Sequence, residues 1–116
     1  MSAGLDISVR SERGFAIIKV GGEIDISTVS GLRERLFELA DAGQPVIVDL
    51  EQITFIDSAG LGALVGASRR AEAHGGTLHA ICAQPQTQKL LWLTGVNRRI
   101  PLFSSLDEAV ESMAAS

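Results

Sequence analysis

The chain has 116 residues and 12.2 kDa, with 46% hydrophobic and 21% charged residues, which is the composition of one ordinary globular domain. Fourteen acidic against ten basic residues give a formal charge of −4 and a pI near 5.0, which argues against a general binder of nucleic acid or anionic membrane, since both need a basic footprint. Its single cysteine, Cys82, excludes an internal disulfide and fits a reducing cytoplasm, and no zinc or iron–sulfur ligand spacing is present.

Met1–Arg10 lacks the basic-then-apolar pattern of a secretory leader, and no uncharged run reaches the roughly 20 residues that span a bilayer. Leu5, Ile7 and Val9 then alternate with Asp6, Ser8 and Arg10, the period of a half-buried strand. A turn at Glu12–Gly14 leads to a second strand over Phe15–Val20, hairpinned to the first. Gly21–Gly22 is expected to end it and to leave Glu23, Ile24 and Asp25 in a loop.

The period then changes. Val29, Leu32, Leu36, Leu39 and Ala40 fall at helical spacing behind Ser27 or Thr28 as N-cap, with Gly43 and Pro45 as stop signals. Val46–Leu50 reads as a strand covered on both faces, followed by a loop containing Ile53, Phe55 and Ile56. A second helix opens at Ser58, runs to about His74 with Leu61, Leu64, Val65 and Ala71 as apolar markers, and stops at Gly75–Gly76. Thr77–Cys82 is another strand. Pro85 starts a third helix that Gly95 ends, with Trp92 expected to anchor it on the core. Ile100–Phe103 is a short strand that Pro101 places at a sheet edge, and Ser105 with Glu108 forms a capping box for a last helix. Arg69–Arg70 and Arg98–Arg99 read as solvated faces.

The order β-β-α-β-α-β-α-β-α predicts an α/β fold: a mixed, mostly parallel sheet of about five strands with about four helices. No repeat, low-complexity tract or linker divides it. We therefore expect one domain over residues 1–116, with its core at about 5–113.

The stretch Phe55-Ile56-Asp57-Ser58-Ala59-Gly60-Leu61-Gly62 follows a strand and opens a helix, the crevice where open α/β sheets place their sites. Gly60, Gly62 and Gly66 do not make a dinucleotide fingerprint, because no acidic residue follows at the ribose-binding distance. They read as small surface that lets the helix approach its neighbours. A serine nucleophile at Ser58 lacks the elbow glycine, since Ile56 stands there, and lacks a base. His74 lies about 24 Å away at 1.5 Å per residue, and His79 sits inside the next strand. Two compatible readings remain for Ser58. It can cap the helix, or it can be an exposed phosphoacceptor whose added charge of about −1.5 to −2 changes a docking surface without breaking the fold. Asp25 reads as a turn or cap residue, Asp49 as a support for the loop ahead of Ser58 or a surface carboxylate, and Cys82 as an inert buried thiol.

Gly22-Glu-Ile-Asp25, Val46-Ile-Val-Asp-Leu50 and Phe55–Gly62 together resemble the signature of STAS domains, the nearest group being the bacterial anti-sigma factor antagonists. The resemblance covers about Leu5–Met113. It implies that Ser58 is phosphorylated by a partner anti-sigma factor that is itself a serine kinase. The unmodified form binds that kinase and frees a sigma factor, and a serine phosphatase resets the switch. It implies a kinase-facing surface of Asp25, Asp57, Ser58, Ala59, Gly60, Leu61 and Gly62, with ATP and magnesium belonging to the kinase and no cofactor in this chain. Ala59 departs from the second serine or threonine that many relatives carry, which bears on recognition of the kinase. The alternatives are a STAS subunit of another assembly, such as a lipid-transport ABC system or a stress-signalling scaffold, and, from a different class, a small serine hydrolase.

Overall fold

Arg13 and Gly14 have φ values of 54° and 86°, the pair of positive angles that a two-residue I′ hairpin turn requires. They join β1 (Asp6–Glu12) to β2 (Phe15–Ile24) as an antiparallel pair in a computed structural model that describes residues 4–114. The chain continues through α1 (Val29–Asp41), β3 (Val46–Ile56), α2 (Ser58–Ala73), β4 (Leu78–Ile81), α3 (Pro85–Leu93), α4 (Val96–Arg99), β5 (Leu102–Phe103) and α5 (Leu106–Ala114). The sheet order is β1-β2-β3-β4-β5, and every pairing after the hairpin is parallel.

Two expectations about strand ends are corrected. β2 runs past Gly21–Gly22 to Ile24, and β3 runs past Leu50 to Ile56. Each extension supplies the other's hydrogen-bond partners, with Gly21 opposite Gln52, Gly22 opposite Ile53, and Ile24 opposite Ile56. Gly22, at φ 104°, lets the ladder shift register rather than stop. The Asp49 Oδ1 accepts from the Glu51 N–H at 3.0 Å and braces the irregular step on β3.

Residues of one sheet face, including Ile18, Val20, Ile24, Val48 and Leu50, bury against Leu32 and Leu36 of α1, Leu64 of α2, Leu91 of α3 and Val96 of α4. The other face carries Phe15, Ile17, Ile47 and Ile81 under Ala109 and Val110 of α5. α5 opens as expected: Ser105 Oγ accepts from the Glu108 N–H at 3.1 Å, while Glu108 reaches back to the Ser104 N–H at 2.8 Å. α4 is a helix that the pattern did not announce. Gly95, left-handed at φ 82°, ends α3 and opens α4 at once, and four residues are too few to show a period. Trp92 is also corrected. It is 66% exposed, because its neighbour Leu91 takes the inward direction and one residue further turns about 100° around the helix.

Cys82 is buried, and burial pushes its thiol pKa up, as befits an inert residue. His79 stacks on Phe103, with ring centroids 5.7 Å apart, and its Nδ1 is buried without a hydrogen-bond partner. Burial lowers its pKa from 6.5, so below that pH the unfolded chain binds a proton that the folded chain refuses. The contribution is neutral above pH 6.5 and increasingly destabilising as pH falls toward the folded value. Chemical denaturation either side of that pH should show His79→Gln losing less stability on acidification than the parent.

Candidate functional site

β2 and β3 end side by side at the paired residues Ile24 and Ile56, and each strand then delivers an aspartate ahead of a helix. The Asp57 N–H donates to the Ile24 carbonyl at 3.1 Å and locks the two ends together. Asp25 Oδ1 accepts from the Ser27 N–H at 2.9 Å, the Ser27 hydroxyl at 2.7 Å and the Thr28 N–H at 3.1 Å. The Ser27 hydroxyl above all holds the Asp25 carboxyl below its usual range; desolvation opposes it, and the Ser27 and Thr28 amides add to the lowering. Thr28 Oγ1 accepts from the Asp25 N–H at 2.9 Å and donates to the Glu23 carbonyl at 2.8 Å. The turn reading of Asp25 is right. The capping role expected of Ser27 or Thr28 is not: Thr28 is the N-cap residue of α1 by position, yet its hydroxyl serves the turn instead of the helix amides.

At α2 the capping residue is Asp57, not Ser58. Asp57 is extended, with φ −108° and ψ −171°, and its Oδ1 accepts from the Ala59 N–H at 2.9 Å and the Gly60 N–H at 3.2 Å. A carboxylate one residue ahead of the helix reaches these amides and also complements the positive end of the helix dipole. Ser58 therefore begins the helix without a structural task. It is exposed, and its hydroxyl makes no hydrogen bond among the described residues. We expect Asp57→Ala to cost about 0.5–2 kcal/mol in denaturant unfolding and Asp57→Asn much less, since asparagine keeps the acceptor.

The next residues fix the helix start in place. A Cβ on Gly60 would lie 2.6 Å from both Ile24 Cγ2 and Ile56 Cγ1, so the backbone of α2 rests directly on the two strand ends. Ala59 and Leu61 are half-buried beside it, whereas Gly62 is exposed, and a methyl group added there would meet nothing within 4 Å. The small-surface reading thus holds for Gly60 and, against the tip of Phe37, for Gly66, but not for Gly62.

Two exposed apolar residues at this end, Ile26 (82%) and Phe55 (50%), carry no mark of surface in the sequence pattern. Ile26 directly follows Asp25, and Phe55 pairs with Glu23 across the strand ends. Glu23 is exposed at this end too, while Asp25 and Asp57 are half-buried.

Neither histidine joins this site. His74 is the C-terminal cap of α2, at the opposite end of the helix from Ser58, with its Nδ1 2.9 Å from the Arg70 carbonyl. His79 lies under Phe103 on the α5 side of the sheet, whereas α2 packs on the other side. Ser58 has no imidazole to take its proton.

Residues 6–109 match the STAS domain family. The chain belongs to that family. This STAS domain is 36% identical over 97 residues to the anti-sigma-B factor antagonist of Staphylococcus aureus, covering 83% of the chain and 78% of the relative. It is 26% identical over 107 residues to the anti-sigma-B factor antagonist of Bacillus subtilis, covering 92% and 98%. Among solved structures, an anti-sigma factor antagonist from Mycobacterium paratuberculosis superimposes with a TM-score of 0.85 at 25% identity, covering 93% of this chain and 92% of that one. SpoIIAA, a Bacillus cell fate determinant solved in its phosphorylated form, shares the fold with a TM-score of 0.70 at 22% identity, covering 93% and 99%. No helix among the described residues is long and apolar enough to cross a membrane.

Proposed function

We propose that this STAS domain is a cytoplasmic anti-sigma factor antagonist that acts by regulated binding rather than catalysis. With Ser58 unmodified, the surface around Asp25, Asp57 and the Ala59–Gly62 turn docks an anti-sigma factor that is also a serine kinase, and the sigma factor held by that kinase is released. The kinase, with its own ATP and magnesium, then transfers a phosphoryl group. Ser58 Oγ attacks the γ-phosphorus, the bond to the β-phosphate oxygen breaks, ADP leaves, and a base of the kinase takes the hydroxyl proton. A serine phosphatase hydrolyses the ester and restores the binding form.

One observation carries this reading: Asp57 does the capping, which leaves the Ser58 hydroxyl exposed and unbonded at the first position of α2. A phosphoryl group there displaces no hydrogen bond of the fold, and the positive end of α2 offsets part of its charge. A partner docked over the same point meets a bulky dianion beside the Asp57 carboxylate. Fold and binding are thereby separated: the first survives modification and the second does not.

Incubation with the anti-sigma kinase and ATP, followed by mass spectrometric mapping, should place one phosphate on Ser58. Modification of the exposed Ser27 or Thr54 with Ser58 untouched contradicts the assignment.

A further inference from the structure

A second exposed apolar surface lies along β5, two strands away from the end of β3. Pro85, Gln88, Lys89 and Trp92 recur at the spacing of one helical face on α3 and, with Asn97 and Leu102, line an open groove of about 470 Å³. Trp92 and its neighbour Leu93 are 66% and 63% exposed, although Leu91 beside them anchors the helix on the core. β5 forms one edge of the sheet, with β4 on one side and no strand among the described residues on the other. Asn97 Oδ1, at the groove, is buried without a hydrogen-bond donor.

The charge here is opposite to that of the whole chain. No acidic residue occurs between Glu72 and Asp107, although the chain carries fourteen. Lys89, Arg98 and Arg99 fall in that interval. Arg99 is taken by Glu72, at 2.7 Å, while Lys89 and Arg98 are exposed and make no salt bridge among the described residues. An acidic protein thus presents, beside a free strand edge, a groove with an aromatic wall, Lys89 in its lining and Arg98 next in sequence to the lining residue Asn97.

We propose that this groove binds an acidic, extended peptide segment of a partner protein, distinct from whatever docks at Ser58. The segment adds to the free edge of β5, sets an apolar side chain against Trp92 and Leu102, and places its carboxylates on Lys89 and Arg98. A free strand edge recognises a polypeptide backbone and gives nothing to a nucleic acid, whose phosphates would also find only these two cations here.

Trp92 is the only tryptophan and the chain has no tyrosine, so its emission reports on the groove alone. Random peptides displayed on phage and selected on the immobilised full chain should enrich acidic residues flanking an aromatic or aliphatic one. The synthetic winners should shift Trp92 emission to the blue. Lys89→Glu combined with Arg98→Glu, at exposed positions that leave the circular dichroism unchanged, should weaken binding about tenfold or more, and Ser58→Glu should leave it unchanged. The proposal is overturned by a selection that enriches nothing or shows no acidic bias, or by winners sensitive to Ser58→Glu. It is equally overturned by an oligonucleotide giving the same shift, or by a shift that rises with protein concentration alone, which would make a second copy the occupant. Because Ser58→Glu is silent at the groove, failure here leaves the Ser58 switch untouched, and failure of the switch leaves the groove testable.

Discussion

Ser58→Glu is expected to weaken binding to the anti-sigma kinase by about tenfold, and a true phosphoryl group by more than about a hundredfold, the equivalent of roughly 3 kcal/mol. The gradation follows from charge and bulk. Glutamate adds one negative charge, whereas phosphoserine adds about −1.5 to −2 with three acceptor oxygens. Both arrive beside Asp57, whose carboxylate is already fixed on the Ala59 and Gly60 amides and is not free to turn away. Those amides already carry Asp57, so the positive end of α2 offsets only part of the added charge and a partner must accept the rest at its own surface. Ser58→Ala makes the complementary point. It should bind as the parent does, since the hydroxyl makes no hydrogen bond among the described residues, yet it cannot be switched off. Thermal unfolding of all three forms should agree closely, because Ser58 is exposed and its modification touches no buried group.

Gly60→Ala should destabilise the fold by about 1–3 kcal/mol and reduce binding even with Ser58 intact. The added methyl would lie 2.6 Å from Ile24 Cγ2 and Ile56 Cγ1, atoms close to the backbone of residues that are 0% and 6% exposed, so neither can swing aside. Relief comes only by lifting the first turn of α2, and that turn carries Ser58. Gly62→Ala, two residues on, has open space at the same atom and should instead stabilise by about 0.5–1 kcal/mol, the usual gain from replacing a helical glycine. Denaturant unfolding and kinase affinity measured on the pair separate a shape requirement at Gly60 from a general preference for small residues.

The periodic elements were legible in the sequence because their partners are local. The stop at Gly43, the start at Pro85, the Ser105–Glu108 box and the helix from Ser58 all rest on residues within a turn of one another. The strand ends were not legible. Gly21–Gly22 reads as a break until β3 is alongside, when the ladder from Gly21–Gln52 to Ile24–Ile56 satisfies backbone groups that the sequence alone leaves open. The site followed the same division. The Asp57–Gly62 segment announced itself, but Ser58 and Asp57 compete for one capping role, and only the extended backbone of Asp57 decides between them. Ile26 and Phe55 carried no signal, since an apolar residue next to buried Ile24 or Ile56 reads as core until the strands fix which side it faces. The four-residue α4 is too short to show a period, and the run Leu90-Leu91-Trp92 leaves open in the sequence which of the three turns inward.

The most direct measurement is a calorimetric titration of the anti-sigma kinase with this chain, first unmodified and then stoichiometrically phosphorylated at Ser58, with the circular dichroism of both forms recorded. The expected result is tight binding by the unmodified chain, binding weakened more than about a hundredfold by the phosphate, and superimposable dichroism. Equal affinity of the two forms, or loss of binding accompanied by unfolding, would contradict a switch that changes the surface and leaves the fold alone.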